Sequence, residues 1–588
     1  MANESSQLLG QETELAISFQ SDDDYHPGNK VIFDYMARAI RSIVKTKPGK
    51  RNFIQDQFFV QNGGAIYYEH HPQSLKRGLI ECATPECKTA SELVLYQRAQ
   101  EALLQKAIPI AESLMSYDGI DGELKLLKNC RDFEGNTYGS QENYDSNLSE
   151  GFHWWAFVAL NILYVPFALV FKVLYIFLLI PFIFFVFTLK FLAEFAQAMS
   201  SFLPFKSLWK VLESKKSFRD LLVNTGIFLS SDSDDSEESL LKIEYMLFYP
   251  LFWLSYKPLI LIYNTFAFRR QREQIHSHVI SRIVFTGAGS LVEEGRFILS
   301  EKSLAINCFL RRSIHRMDKP LFDCGNLIKE YELAIWSMFL LRFQAWKSIF
   351  RKQQRLQIAF SDSNRCHLAE FLKVGTSSLV VRMANAGFIS EAPVLEDPIS
   401  SLHAMTKDIE LQGRYRLESG EAMSAIEIQR WYCDKAREFL DRYPSDMEDH
   451  EIVKVWDESL GLLESSPESL IGRIDWITKK HLLDSSGADL DFWARKKIDL
   501  KYHELGTGYF ETLQKQGMTL DLFEESQIEE AVFEPSSPKR VKVRSRLIRS
   551  ISLENVPMTI SWGEAKLGRW KPKVLSLSSY RDERKSSS

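Results

Sequence analysis

Two long apolar runs dominate the pattern of hydrophobic and polar positions along this chain of 588 residues. The first covers residues 154–189 with Lys172 as its only charge, and the second covers residues 245–268 with only Lys257. A transmembrane helix needs about 20 mostly apolar residues, so each run is long enough to cross a bilayer. A buried helix of a soluble protein is the alternative, but such a helix usually keeps a polar stripe that the first run lacks. The pattern therefore predicts membrane attachment.

The polar sequence before these runs contains the first candidate for chemistry. The segment GQETELAISF begins at Gly10, and a strand there would put Glu12 and Glu14 on one face because strand side chains alternate. Adjacent carboxylates repel each other, and a hard cation such as Mg²⁺ relieves that repulsion. A solvated strand edge is the alternative for this segment taken alone.

More acidic and polar positions follow in predicted elements. Apolar spacing predicts a helix over residues 27–47, and the short strand AIYYE ends at Glu69. The run at residues 135–139 is polar and contains two glycines, a composition that suits phosphate binding by side chains and backbone amides. Glu142 and Asn143 follow it and offer a metal ligand and a hydrogen-bond donor.

Beyond the apolar runs the sequence predicts mostly helices. Residues 327–359, 421–443 and 450–465 have helical patterns. The alternation of basic residues at Lys542, Arg544 and Arg546 instead resembles one face of a strand.

The composition of the chain limits which binding partners and which cellular compartment are expected. The net charge of -5 and pI near 6.2 argue against nucleic acid as the main partner. Seven cysteines without paired metal spacing indicate a reducing compartment, and the N-terminal sequence lacks the order of a signal peptide. We therefore expect the polar parts to be cytoplasmic.

Several of these polar runs occur in an order that resembles one known family. Before the apolar region they are Gly10 to Glu14 (GxExE), Asn62 to Glu69 (NGxxxYxE), Glu81 to Cys87 (ExxTPEC) and Lys128 to Tyr144 (KN…GNxYGxxENY). After it come residues 282–289, which are similar to a strand and turn of the family, and residues 362–364, 372–376, 475–479 and 499–503. Together they resemble the Pup ligase and depupylase family, which are carboxylate–amine ligases with a glutamine-synthetase-like fold.

The resemblance implies an α+β fold, with a glutamine-synthetase-like antiparallel sheet flanked by helices, a small C-terminal domain and inserted transmembrane helices. It divides the chain into the first part of the catalytic domain (1–149), a membrane-embedded insertion with an acidic loop (150–272), the second part of the catalytic domain (273–517) and the small C-terminal domain (518–588).

The insertion splits the catalytic domain, so both halves must lie on one side of the membrane and the number of crossings must be even. Arg269, Arg270 and Arg272 place the end of the second run in the cytosol. The basic stretch at residues 206–219 fits less well with one crossing per run, and two shallow hairpins are the alternative. We expect a membrane location with a cytoplasmic catalytic domain.

The resemblance also implies ATP and Mg²⁺ as cofactors and assigns roles to individual residues. Glu69 would be the base that deprotonates an incoming lysine amine. Phosphate and nucleotide would contact Asn136, Tyr138, Arg540 and Arg544. The predicted metal ligands and their immediate shell are Glu12, Glu14, Tyr67, Glu81, Glu142 and Asn143.

This chain departs from the family pattern at three places. Glu69 stands where the family has an aspartate, and about six extra residues separate it from Glu81. Gln141 and Gln357 stand at histidine positions, and a glutamine cannot carry a proton at neutral pH. The family's Arg-Asp-Glu-Pro-His run is reduced to residues 316–320. Because the metal carboxylates are intact, we interpret the site as retained but diverged.

The implied function is ligation of the C-terminal glutamate of a small Pup-like modifier to lysines of target proteins, at a membrane lipid surface and without nucleic acid. The short segment from Ser18 to Asn62 and the GNxYG run at residues 135–139 favour the ligase branch. One alternative is a deamidase or depupylase that hydrolyses the same linkage. Another is a weakened scaffold that only binds the modifier or ATP.

Overall fold

A computed structural model gives the structure of most of the chain. The apolar residues before 254 in the second run, the basic stretch at 206–219 and the acidic loop at 230–239 lie outside the described residues. The described residues are 7–21, 27–49, 55–71, 74–132, 136–200, 254–292, 295–310, 318–324, 327–328, 330–331, 333–335, 346, 349–487, 490–550, 556–568 and 572–577.

A sheet of ten strands forms the centre of the structure, in the order β10-β11-β12-β7-β1-β5-β4-β3-β2, with β6 paired to β1. Neighbouring strands are antiparallel except β10 and β11, which are parallel. These strands are β1 (Leu9–Ser21), β2 (Thr46–Pro48), β3 (Gln55–Val60), β4 (Ala65–His71), β5 (Ser74–Ala83), β6 (Gly122–Leu127), β7 (Ser140–Asn147), β10 (Cys308–Leu310), β11 (Pro320–Asp323) and β12 (Gln353–Ile358). Smaller sheets contain β8 (Ser290–Leu291), β9 (Phe297–Ile298), β13 (Tyr415–Arg416), β14 (Ala422–Met423), β15 (Met558–Ile560), β16 (Glu564–Leu567) and β17 (Lys573–Ser576).

Helices cover one face of the sheet and form the rest of the core. Among the described residues they are α1 (Asn29–Ile43), α2 (Ala90–Tyr117), α3 (Gly151–Ser200), α4 (His276–Ser281), α5 (Ile283–Thr286), α6 (His367–Asn385), α7 (Pro398–Lys407), α8 (Ala425–Arg442), α9 (Met447–Ser465), α10 (Asp475–Ser485), α11 (Phe492–Lys501), α12 (Tyr509–Lys515), α13 (Glu525–Phe533) and α14 (Lys539–Arg549). The π-helical segments Tyr263–Ala267 and Gln271–Ile275 precede α4.

Local sequence explains where several helices begin. Thr89 is the N-cap of α2, and its side-chain oxygen accepts a hydrogen bond from the backbone N–H of Glu92. Ser424 is the N-cap of α8. Its hydroxyl accepts a hydrogen bond from the backbone N–H of Glu427, and the Glu427 carboxylate accepts one from the backbone N–H of Ser424, which together form a capping box. These caps replace partners that the first turn of a helix lacks.

The alternation of side chains in β1 and β7 gives the sheet two different faces. Gln11, Thr13 and Leu15 point to the face covered by helices such as α2 and α6. The opposite face, which we call the open face, carries Glu12 and Glu14. The predicted antiparallel sheet flanked by helices is therefore confirmed.

Three local predictions were wrong. Residues 353–358, predicted as part of a helix, form strand β12. The basic residues around Arg544 lie on helix α14, whose buried positions Val541, Arg544, Ser545 and Ile548 follow a helical period rather than strand alternation. Residues 283–286, expected in a strand and turn, form α5.

The first apolar run belongs to helix α3. Among the described residues, Gly151–Leu178 is the segment long and apolar enough to span a membrane, with mean hydropathy 2.1 and 22% of its most apolar part buried. Most of its large side chains, including Phe167 and Phe177, are exposed. The prolines at 166 and 181 do not interrupt the helix.

The base of α3 packs into the catalytic core. Phe157 is fully buried, with its ring centroid 5.6 Å from that of Trp154 and 5.4 Å from that of Tyr263. Tyr331 donates a hydrogen bond to the carbonyl of Asn161. The predicted insertion boundary at residue 272 lies inside this packed region, because residues such as Tyr263 and Gln271 are buried.

We predict that Phe157→Ala destabilises the protein, because it leaves a cavity where the base of α3 meets the core. The loss expected for a buried phenylalanine is about 3–5 kcal/mol. The midpoint of urea denaturation in detergent should fall accordingly. Phe167→Ala is the matched control on the same helix, since its side chain is 63% exposed and should leave the midpoint unchanged. Equal midpoints for the two variants would contradict this packing.

Candidate active site on the open face of the sheet

Three neighbouring strands bring acidic side chains together on the open face. Glu14 of β1 lies directly opposite Glu81 of β5, and Glu81 lies opposite Tyr67 of β4. Glu12 and Glu69 follow on the same face, because each is two residues from one of these positions on its strand. The structure thus brings together Glu12, Glu14, Tyr67, Glu69 and Glu81, as the sequence predicted.

The other half of the open face comes from β7 and β12, which flank the insertion in sequence. Gln141 lies opposite Glu12 in the register of β1 and β7, and Asn143 lies opposite Gln357. Arg355 contacts Glu12 with 3.4 Å between its guanidinium nitrogen and the carboxylate oxygen. The two parts of the chain therefore complete one site.

Closely spaced carboxylates dominate the electrostatics of this face. Burial raises the pKa of Glu81 well above its usual value, and the negative charges of Glu12, Glu69 and Glu14 raise it further. Burial also raises the pKa of Glu12, partly opposed by Arg355. The pKa of the Tyr67 phenol is raised well above its ordinary value by burial and by Glu12 and Glu81. Such a cluster favours a bound proton or cation.

An Mg²⁺ ion would find oxygen ligands here, and one observation favours it. Asn143 Oδ1 is buried and has no hydrogen-bond partner among the described residues, while its side chain also hydrogen-bonds Glu12. In the described part of the chain, however, no three histidine, cysteine, aspartate or glutamate side chains are close enough to form a ready-made metal cluster.

Glu142 does not lie on the open face, and we remove it from the set of metal ligands. It points to the helix-covered face, where it is 1% exposed. Arg282 donates to both of its carboxylate oxygens, at 2.9 and 2.6 Å, and Tyr144 and Ser361 also donate to it. The period of two along β7 separates Glu142 from its neighbours Gln141 and Asn143.

Arg544 also has a different role from the predicted nucleotide contact. Its guanidinium is fully buried and pairs with Glu86, with its centre 4.7 Å from the ring centroid of Trp562. Arg540 also pairs with Glu86, at 3.0 Å. Burial opposes ionisation of Glu86, but Arg544 and Arg540 outweigh it and lower the pKa of its carboxyl. The two arginines thus fix α14 to the segment between β5 and α2.

Asn136 and Tyr138 lie together in the loop before β7. Both donate hydrogen bonds to the carboxylate of Asp132, at 2.8 and 2.9 Å. This arrangement orders the loop beside the end of the open face, where the backbone N–H of Glu14 bonds the carbonyl of Gly139 at 3.0 Å. A direct contact of either side chain with phosphate stays a prediction.

Gln141 and Gln357, the glutamines at the family's histidine positions, form hydrogen bonds within this site. Gln357 donates to Gln141, and Gln141 donates to Glu14 at 3.2 Å. Arg355 donates to the side-chain oxygen of Gln357 at 2.9 Å. A neutral amide chain therefore links Arg355 to Glu14.

Several residues at the open face were not predicted from the sequence. Arg355 and Asp323 face the site because of the pairing of β12 with β7 and β11, and Asp323 raises the pKa of Glu12. Trp562 of the C-terminal domain donates a hydrogen bond from its indole to the Tyr67 hydroxyl at 3.0 Å. No sequence signal distinguished Trp562, because the contact joins residues nearly 500 positions apart. Residues 311–317, which include part of the degraded family run, lie outside the described residues.

Comparisons with a family profile and with known sequences agree on one family. A family profile described as Pup-ligase protein matches residues 7–566. The Pup–protein ligase of Arthrobacter sp. (strain FB24) is 24% identical over 570 residues, which cover 95% of this chain and 93% of that protein. The Pup–protein ligase of Mycolicibacterium smegmatis is 23% identical over the same shares of the two chains.

Comparison with solved structures shows the same fold. The ligase PafA in a complex with the prokaryotic ubiquitin-like protein Pup has a TM-score of 0.65 at 18% identity, covering 99% of this chain and 90% of that one. PafA in complex with ADP has a TM-score of 0.59 at 19% identity, covering 96% and 93%. The resemblance and fold class predicted from the sequence are confirmed.

We predict that divalent-cation binding to this face releases protons and strengthens as the pH rises. Because the pKa of Glu81 is raised, its carboxyl keeps a proton at pH values where a free glutamate is ionised, and a cation must displace it. Calorimetric titration with Mg²⁺ in two buffers of different ionisation enthalpy measures that release. Glu81→Gln should reduce the proton release to the part due to Glu12, whose pKa is also raised, and Glu458→Gln, an exposed position on α9, should leave the release unchanged. Affinity that does not change with pH would contradict the prediction.

Proposed function

The chain belongs to the Pup-ligase family, and from this premise we propose that it is a membrane-attached, ATP-dependent ligase. It would join the C-terminal glutamate of a small Pup-like modifier to lysine side chains of target proteins. The observation that carries the proposal is the open face itself. Glu12, Glu14, Glu69, Glu81 and Tyr67 converge there from three adjacent strands at the positions of the family motifs.

The first chemical step would activate the modifier's carboxylate. A carboxylate oxygen attacks the terminal phosphorus of ATP, and the bond to the leaving ADP breaks. Glu12, Glu14 and Glu81 would hold Mg²⁺, with Tyr67 and Asn143 beside them, and the cation would offset negative charge on the phosphoryl group. Arg355 adds a positive charge on the same face, beside Glu12.

The second step would transfer the acyl group to an amine. The lysine nitrogen attacks the acyl carbon, phosphate leaves, and the nitrogen loses a proton. Glu69 is the proposed acceptor of that proton, since it shares the face with Glu81 and its charge raises the pKa of the Glu81 carboxyl. Its place on β4, two residues after Tyr67, puts it beside the proposed metal site.

Membrane attachment rests on the surface of α3. Exposed apolar side chains along the helix include Leu163, Phe167, Val170 and Phe177. A contiguous exposed apolar surface of this length is typical of contact with lipid or protein. The start of α3 lies beside the end of the second run, where Arg270 pairs with Glu150 at 2.8 Å. This neighbourhood supports a return of the chain to the same side of the bilayer.

The direction of the reaction is decided by one assay. The purified protein is incubated with a modifier ending in glutamate, with ATP and Mg²⁺, and separately with a preformed conjugate. Accumulating conjugates support the ligase, and disappearing conjugates support the depupylase. Nucleotide binding without turnover in either reaction supports the scaffold, which the substitutions at Glu69, Gln141 and Gln357 motivate.

We predict that Glu69→Ala stops transfer to lysine but leaves ATP binding unchanged, because Glu69 acts on the amine rather than on the phosphate. Glu69→Asp should also lower the rate. A misplacement of about 1 Å at a reacting group costs on the order of a hundredfold, and aspartate is one methylene shorter than the glutamate present here. Single-turnover conjugation assays and nucleotide titrations measure the two effects. A Glu69→Ala variant as active as the parent would show that the base lies elsewhere.

We predict that replacing the four exposed residues Leu163, Phe167, Val170 and Phe177 by lysine weakens membrane association. Each charge at mid-bilayer costs about 2.5–3.5 kcal/mol. Sedimentation of membranes at neutral pH, where the introduced lysines are charged, followed by detection of the protein in pellet and supernatant, measures the change. Lys172→Leu on the same helix is the control and should stay in the pellet. A parent protein found in the soluble fraction would contradict membrane attachment.

A further inference from the structure

Two lysines lie at the end of the open face nearest Gly139, and the mechanism above uses neither. Lys302 follows β9 at the start of a short 3-10 turn, and Lys319 directly precedes β11. The two ammonium groups are near enough for the charge of Lys302 to act on Lys319, and Glu14 acts on Lys319 with the opposite sign. This pair therefore lies next to the carboxylates of the open face.

The backbone of Lys302 is held in place by hydrogen bonds, and the residue is almost completely buried, at 7% exposure. Asp362 accepts hydrogen bonds from the backbone N–H groups of Glu301 and Lys302, at 3.0 and 2.9 Å. The ammonium nitrogen lies 2.9 Å from the place that a Cβ on Gly139 would occupy, and Cδ lies 2.6 Å from it. A glycine at 139 is therefore what lets Lys302 reach over the backbone beside β1.

Lys319 is anchored at its backbone and directed by its side chain. Its N–H donates to the Asn307 side chain at 3.1 Å, and its carbonyl accepts from the Asn307 N–H at 3.0 Å. Its ammonium donates to the Thr137 hydroxyl in the loop before β7. Burial lowers the pKa of Lys319, and the neighbouring charge of Lys302 lowers it further.

Neither ammonium forms an ion pair with a carboxylate of the described residues. The other strongly buried lysines do form such pairs, for example Lys479 with Glu301 and Asp499 at 3.0 and 2.7 Å. Lys373 likewise pairs with Glu370 at 2.7 Å. Two neighbouring cations without a carboxylate are costly to bury, and an anion between them would offset that cost.

We propose that Lys302 and Lys319 form an oxyanion site that binds the terminal phosphoryl group of the nucleotide. The inference rests on the proposed function, because that reaction brings a phosphoryl group to the face beside Glu14. The lysines lie on the Gly139 side of Glu14, whereas Glu81 lies on the other side of it, on β5. The two ammonium groups would thus contact oxygens of the transferred group.

The test compares ATP with ADP, since the two differ by the terminal phosphoryl group. In Lys302→Met and Lys319→Met proteins, without modifier, calorimetry with Mg²⁺ should show ATP affinity lowered about tenfold to a hundredfold per lysine, as expected for charged hydrogen bonds. ADP affinity should change less than about twofold on the same scale. Lys319→Arg should restore most of the ATP affinity because it keeps the charge. Lys454→Met, an exposed position on α9, is the matched control.

The modifier's carboxylate could supply the same oxyanion, and a second titration separates the two sources. Fluorescence anisotropy of a labelled modifier measures its affinity for each variant. Loss of modifier binding with unchanged ATP binding would overturn the assignment to phosphate and place the carboxylate there. Equal loss of ATP, ADP and modifier binding, with a lower melting temperature, would overturn the site in favour of a structural role.

Failure of this inference can be distinguished from failure of the proposed function. If the parent protein forms no conjugates, the ligase assignment fails, yet the difference between ATP and ADP affinities still tests the lysines. If the parent protein forms conjugates and both variants bind ATP as the parent does, the lysine site is wrong and the ligase assignment stands. Should Lys302→Met not fold, Lys319→Met decides alone, because Lys319 is only partly buried.

Discussion

The buried ion pair between Glu142 and Arg282 is the interaction on which the split arrangement of this chain depends. Glu142 lies on β7, before the insertion, and Arg282 lies after it, yet both side chains are 1% exposed and are joined by two hydrogen bonds. Removing one partner of such a pair typically costs about 3–5 kcal/mol, because it leaves a buried charge. The pairing of β7 with β12 then continues the sheet across the same junction. These contacts join the residues before α3 to those that follow residue 272.

The same junction explains the charge of the open face. β7 and β12 contribute amides at Gln141 and Gln357 and one cation, Arg355, to a face on which β1, β4 and β5 place four glutamates. Histidines at the two glutamine positions could carry protons, whereas glutamines leave the negative charge uncompensated. Burial raises the pKa values of Glu12 and Glu81, and this excess of negative charge raises them further. The excess of negative charge on this face therefore favours a bound proton or cation.

Sequence reasoning reached the parts of the site that depend on one strand at a time. The alternation along β1 placed Glu12 and Glu14 together, and the motif order placed Glu81 and Tyr67 beside them. It failed at Glu142 because β7 is polar on both faces, so only its register with β1 decides which side chains reach the site. It also failed at Arg544, because a charged residue is predicted on the surface and is buried here by Glu86 and Trp562. Strand β12 was missed since QQRLQI lacks a clear alternation of apolar residues.

The position of α3 relative to the sheet has a consequence for which proteins can reach the site. Helix α3 begins at Gly151, only four residues after β7 ends at Asn147, and Asn143 of the open face is four residues before that end. At about 3.3 Å per strand residue, Asn143 lies roughly 13 Å along the strand from its end. The base of the helix is packed into the core at Phe157 and Tyr263, so this short connection is not a free tether. Proteins that reach the open face therefore approach it beside the packed base of α3.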